Sequence, residues 1–134
     1  MPFENIWERN GIRMHFSGEM SPSDILNANL DFYGDHRSDT ARYQILDTLD
    51  VTSLADDMPG YASVMEILAG MDAAASLSVG NLMVALVSTH EGAIDLFKTY
   101  AGISEEIQSG WRTGIFHDMA AARRWIAAGG AAPG

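Results

Sequence analysis

The chain has 134 residues, a formal net charge of −10 and no cysteine. This length suffices for one domain with a hydrophobic core. The lack of cysteine excludes disulfides, thiolate nucleophiles, Fe–S clusters and cysteine-ligated zinc. The acidic balance argues against nucleic acid and anionic membranes as partners, because both attract a cationic surface.

The sequence contains no apolar segment of the kind that directs export or membrane insertion. No such run follows Met1, and no segment approaches the roughly 20 apolar residues that span a bilayer. We therefore expect a cytoplasmic protein without membrane insertion.

The first elements predicted are a β-hairpin and a helix. Strand-like residues 5–9 and 12–17 flank Asn10 and Gly11, a pair typical of a type I′ turn. Ser21 then suits a helix N-cap, and the helix is expected to end near residue 33, with Gly34 at the C′ position. Residues 35–40 are expected to form a polar loop.

A third strand is predicted over residues 42–46. The acidic segment 47–57 that follows, with four aspartates, is expected to be a loop. A second helix is predicted over residues 59–75, with apolar residues on two sides. One stripe contains Tyr61, Val64, Met65 and Leu68, and the other contains Ile67, Met71 and Ala74. A helix with this pattern is expected to be buried on two sides.

The apolar run 82–87 predicts a strand that is covered on both faces. Ser88 and Glu91 form a capping-box pattern ahead of a third helix. The inner stripe of this helix is Ala93, Leu96, Phe97 and Tyr100. A loop is expected over residues 102–110.

The last predicted elements are a fifth strand over residues 111–116 and a helix capped by Asp118. The inner stripe of this helix is Ala122, Trp125 and Ile126. Residues 1–128 are expected to form one α/β domain, with parallel later strands and right-handed crossovers. Residues 129–134 are expected to be a flexible tail.

This β-β-α-β-α-β-α-β-α order resembles that of the bacterial SpoIIAA-like proteins, which are related to the STAS domains of anti-sigma-factor antagonists. The resemblance extends from Ile6 to Ile126 and depends on residues 11–18, 43–54, 82–87 and 115–126. It implies a five-stranded mixed sheet in sequential order, wound as a right-handed βα superhelix with helices mainly on one face.

The antagonist branch of that family implies a protein-binding switch that is worked by phosphorylation of a serine where the second helix begins. Residues 55–60 hold no hydroxyl at that place and are already acidic. Since phosphorylation acts by adding charge, we do not expect this switch here. Related lipid-carrier folds imply another use, an apolar pocket.

Polar residues that follow the predicted strands are the candidate binding residues. Ligands of open α/β sheets bind beyond the carboxyl ends of the strands. These side chains could form a polar acid–base or metal cleft, or could serve only as caps, turn residues and exposed groups. The candidates for binding a ligand or partner are Asp47, Thr48, Asp50, Thr89, His90 and His117.

The sequence lacks the motifs of common catalytic sites: a zinc-helix H-E-x-x-H, a glycine-rich phosphate loop and a G-x-S-x-G nucleophile elbow. We therefore expect no enzyme activity, no catalytic residue, no metal and no cofactor.

Three methionines, Met58, Met65 and Met71, lie in or beside the second helix. Methionine fills cores, but it also suits adaptable apolar surfaces, so Met65 and Met71 are further candidates for contact with a ligand or partner. The sequence favours a non-catalytic interaction module that binds itself or another protein, most simply as a homodimer. The alternative is a binder of a small apolar or amphipathic ligand, in a pocket beside the second and third helices.

Overall fold

The computed structural model describes residues 3–77, 82–106 and 111–130. Within them, five strands form one mixed sheet in sequential order. The strands are β1 (Phe3–Trp7), β2 (Gly11–Met20), β3 (Tyr43–Leu54), β4 (Met83–Val87) and β5 (Arg112–Phe116). β1 is antiparallel to β2, and the other neighbouring strands are parallel. The α/β class, the hairpin and the parallel later strands are confirmed.

Four helices cover the sheet in the described part of the chain, three on one face and one on the other. They are α1 (Pro22–Tyr33), α2 (Met58–Ala75), α3 (Glu91–Glu106) and α4 (Met119–Ala127). The first three enclose the larger apolar core, and α4 packs against β3, β4 and β5 on the opposite face. Among the described helices, none is both long and apolar enough to cross a membrane.

The apolar run in β4 is explained by this layering. Val84 and Leu86 point into the core under α1–α3, whereas Ala85 and Val87 pack in the cluster beside α4. Every residue of β4 is buried, because the strand has a neighbour on each side and helices on both faces. The predicted buried strand is confirmed.

The predicted caps are confirmed for α1 and α4. The Ser21 hydroxyl accepts from the Asp24 N–H at 3.3 Å, and the Asp118 carboxylate accepts from the Ala121 N–H at 2.7 Å. Gly34 is the C-cap residue of α1, with a φ of −77°, and not the C′ residue that was expected. The chain instead continues into a 3-10 helix, His36–Thr40, where a loop was predicted.

The predicted Asn10–Gly11 turn is wrong by one residue. The Glu8 N–H donates to the Gly11 carbonyl at 2.8 Å, so the two turn residues are Arg9 and Asn10. Gly11 begins β2 beside Tyr43, and an added Cβ would lie 2.5 Å from the Tyr43 carbonyl oxygen. Glycine is needed here for close approach of two strands.

The acidic segment that begins at residue 47 was predicted to be a loop, but β3 continues through it to Leu54. β2 runs beside it to Met20, with irregular register between His15 and Ser17 and again between Gly18 and Glu19. Pairing with β2 therefore satisfies backbone groups that were expected in a loop. Only the last residues of the predicted acidic loop lie outside the strand.

The start and end of α3 correct two further predictions. The helix begins at Glu91, and its first turn is capped by His90, whose Nδ1 accepts from the Ala93 N–H at 3.4 Å. The Ser88 hydroxyl accepts from the His90 N–H at 3.0 Å, so the Ser88–Glu91 capping box is wrong. The loop predicted from residue 102 is helical to Glu106, and residues 107–110 lie outside the described ones.

Candidate interaction surface

Asp47 and Thr48 are buried within β3 and hold neighbouring strands together. The Asp47 carboxylate pairs with the Arg13 guanidinium of β2 at 3.2 Å and accepts from the Leu49 N–H at 3.1 Å. The Thr48 hydroxyl donates to the Val87 carbonyl at 2.7 Å. These contacts give both residues a role in the sheet.

Asp50 lies on the exposed part of β3, opposite Ser17 of β2. Its carboxylate is 2.7 Å from Nε2 of His15, a residue that was not among the predicted candidates. Arg13 and His15 alternate with buried residues along β2, and this alternation was the only signal for their position.

The remaining polar candidates lie where β4 and β5 end. Nδ1 of His117 is 3.4 Å from the Ser88 carbonyl, His90 caps α3, and Thr89 is exposed. The structure thus places the polar candidates in two locations, three on β3 and three where β4 and β5 end, and no hydrogen bond between described residues joins one candidate to another. In the described ranges, no group of three or more His, Asp or Glu side chains could hold a metal ion.

The two candidate methionines lie inward. Met65 is buried and lines a cavity of about 10 Å³ between the sheet and α1–α3. Met71 is half-buried and packs against the same core. A cavity of that size holds about one water molecule, so it leaves no room for a lipid in this conformation.

The two apolar stripes of α2 have different environments. Tyr61, Val64, Met65 and Leu68 are buried, as predicted. In the second stripe, Ile67 is 48% exposed and Ala74 is also exposed, so the described residues leave that side uncovered and the expected burial on two sides is wrong there. We call this side the α2 outer face. Its exposed residues are Ala62, Ser63, Glu66, Ile67, Gly70 and Ala74.

The α2 outer face carries little charge for so acidic a protein. The charged residues of α2 are Glu66 and Asp72, and Asp72 is buried. Glu66 is therefore the one charge that the helix exposes. Further apolar side chains are exposed at the two ends of the helix, at Met58 and at Leu77 just beyond it.

A buried cluster at Asp72 was not found by sequence reasoning. The hydroxyls of Tyr33 on α1 and Tyr100 on α3 both donate to its carboxylate, so α2 is tied to both neighbouring helices. Burial raises the pKa of Asp72, and burial together with the nearby carboxylate raises the pKa of both tyrosines. Asp72 follows Tyr61, Met65 and Leu68 at helical spacing, a signal that could have placed it inside.

A second missed cluster joins the hairpin to α4. The Arg123 guanidinium donates two hydrogen bonds to the Glu8 carboxylate, each at 2.7 Å, and the Tyr43 hydroxyl also donates to Glu8. The hydrogen bonds from Arg123 lower the pKa of Glu8, and they raise the pKa of Arg123 itself. The pair is separated by 115 positions, so no local pattern predicts it.

Comparisons of the chain with protein-family models, with curated proteins and with solved structures found no match.

Proposed function

We propose that this protein is a non-catalytic interaction module of the SpoIIAA-like kind that forms a homodimer through the α2 outer face. The proposal is supported by the element order, the sequential mixed sheet and the three helices on one face. The contacts of Asp47, Thr48 and His90 support it as well, because they join neighbouring strands or cap a helix.

The observation that carries the proposal is the exposure of Ile67 in the middle of the α2 outer face. α2 lies between α1 and α3, and within residues 3–77, 82–106 and 111–130 no further helix covers its outer side. Apolar area removed from water contributes about 25 cal/mol per Å² before association entropy is subtracted. A twofold axis through this face would bury Ile67 of both copies.

The proposed module works without a phosphorylated serine. Asp57 occupies the N-cap of α2, where its carboxylate accepts from the Gly60 N–H at 3.0 Å. The nearest upstream serine, Ser53, lies within β3 opposite Glu19.

The test is the mass of the protein in solution with Ile67 changed to glutamate. We expect wild-type protein to be dimeric by sedimentation equilibrium, and Ile67→Glu to raise the dimer dissociation constant at least about tenfold, since two like charges would face each other. Ala127→Glu adds the same charge to an exposed position on α4 and should leave the dimer intact. A monomeric wild type, or a dimer that survives Ile67→Glu, would contradict the proposal.

A further inference from the structure

The outer face of one helix is too small to hold two copies of this chain together by itself. α2 has 18 residues and is therefore about 27 Å long, and a helix with its side chains is about 10 Å wide. The α2 outer face thus covers only about 270 Å² in projection, whereas each partner in a standard protein interface buries about 800 Å². A dimer through this face must therefore extend onto a neighbouring helix, which is α1 or α3.

α1 exposes an apolar side chain beside the α2 outer face. Leu30 of α1 is 47% exposed, nearly the same fraction as Ile67. The Tyr33 hydroxyl, three residues after Leu30, donates to Asp72, which is five residues after Ile67. Because α1 and α2 each connect parallel strands, the two helices run in the same direction. Leu30 and Ile67 thus lie at similar levels, about 5 Å and about 8 Å back along their helices from this hydrogen bond.

The exposed surface of α1 around Leu30 is uncharged. Ser23, Asn27 and Leu30 are all exposed and follow each other at helical spacing, so they share one side of the helix. We call these three residues the α1 ridge. The two carboxylates of α1 have other positions: Asp24 accepts from a backbone N–H in the N-terminal cap, and Asp31 lines an open depression beside β1. The α1 ridge therefore continues the nearly neutral surface of the α2 outer face.

The exposed surface of α3, on the other side of α2, is acidic. It carries four exposed carboxylates, at residues 91, 95, 105 and 106, and one exposed cation, Lys98. A twofold contact through α3 would bring these like charges of two copies together, which opposes binding. Charge thus favours α1 over α3 as the second helix of the interface.

We propose that a second copy of this chain binds across α1 as well as α2, so that Leu30 and Ile67 of both copies are buried in one interface. The proposal rests on the homodimer proposed above and specifies which neighbouring helix completes it. A second copy fits this surface because an apolar, nearly neutral face is complementary to itself across a twofold axis. A strongly basic partner would find only Glu66 to pair with on the α2 outer face and no charge on the α1 ridge.

Sedimentation equilibrium of two matched variants of the full chain tests the proposal. Leu30→Glu and Thr99→Glu each add one negative charge at an exposed helix position, the first on α1 and the second on α3. We expect Leu30→Glu to raise the dimer dissociation constant at least about tenfold, and Thr99→Glu to change it by less than about twofold. Circular dichroism checks that both variants are folded. An unchanged constant for Leu30→Glu, or equal effects of the two variants, would overturn the proposal.

The methyl NMR spectrum of the wild type gives a second measurement that does not depend on a variant. As the dimer is diluted, the methyl resonances of Leu30 and Ile67 should shift over the same concentration range, and that of Thr99 should not. If the Ile67 resonance shifts and those of Leu30 do not, the extension to α1 is overturned and the dimer through the α2 outer face stands. A wild type that is monomeric at every concentration overturns both proposals.

Discussion

Asp72 is an acidic residue that lies almost fully buried among the helices. Its carboxylate is only 2% exposed, no cation pairs with it among the described residues, and two tyrosine hydroxyls are its hydrogen-bond donors. Burial raises its pKa, so the folded chain binds a proton there more readily than the unfolded chain does. Below the pKa that Asp72 has in the unfolded chain, its ionisation does not lower the free energy of unfolding. The loss of stability grows as the pH rises through the pKa that Asp72 has in the folded chain.

We expect Asp72→Asn to remove this dependence, because asparagine does not titrate. The free energy of unfolding of the variant minus that of the wild type should increase as the pH rises from about 4 to about 8. Urea unfolding across that range measures it. Asp95→Asn, which removes an exposed carboxylate from α3, is the control. A difference that falls with rising pH would contradict the assignment.

At the scale of the elements, two glycines have opposite structural roles. Gly11 is in contact with the backbone and ring of Tyr43, whereas an added Cβ at Gly102 of α3 would meet nothing within 4 Å. The first glycine permits two strands to approach, and the second only weakens a helix.

Alanine at each glycine should therefore change stability in opposite directions. Gly11→Ala forces the β2–β3 pair apart and should cost about 1–3 kcal/mol of unfolding free energy. Gly102→Ala should add about 0.5–1 kcal/mol, because alanine loses less backbone entropy in a helix. Chemical denaturation of both variants measures the two effects. A neutral Gly11→Ala would show that the strands accommodate the methyl group.

At the scale of the whole molecule, the proposed dimer must form despite the charge. Each copy has a net charge of −10, and salt screens charges beyond about 8 Å at roughly 0.15 M ionic strength. The α2 outer face exposes Glu66 as its single charge, so apolar contact is expected to hold the copies together.

We therefore expect the dimer to become tighter as sodium chloride is raised from about 20 mM to about 300 mM, because repulsion between the copies is screened. Sedimentation equilibrium at several salt concentrations measures this. The Ile67→Glu variant should remain monomeric at the lower sodium chloride concentration. It is the control that separates loss of the α2 interface from general repulsion between the two charged copies. A dimer that dissociates as salt rises would instead be held by ion pairs.

Features that depend only on neighbouring residues could be predicted from the sequence. The apolar run of β4 and the caps at Ser21 and Asp118 are local patterns, and each predicted its element. Helical periodicity also identified the second apolar stripe of α2, but the burial expected for it is wrong for Ile67, which is 48% exposed.

The length of β3 and the contacts of its polar residues depend instead on tertiary packing. The acidic residues after residue 46 have a loop-like composition, and they are in a strand because β2 pairs with them. Asp47 lies 34 residues from Arg13, and Glu8 lies 115 from Arg123. The composition of one segment does not say which distant segment will satisfy its hydrogen bonds and charges, so these pairings come from the packing of the complete sheet and its helices.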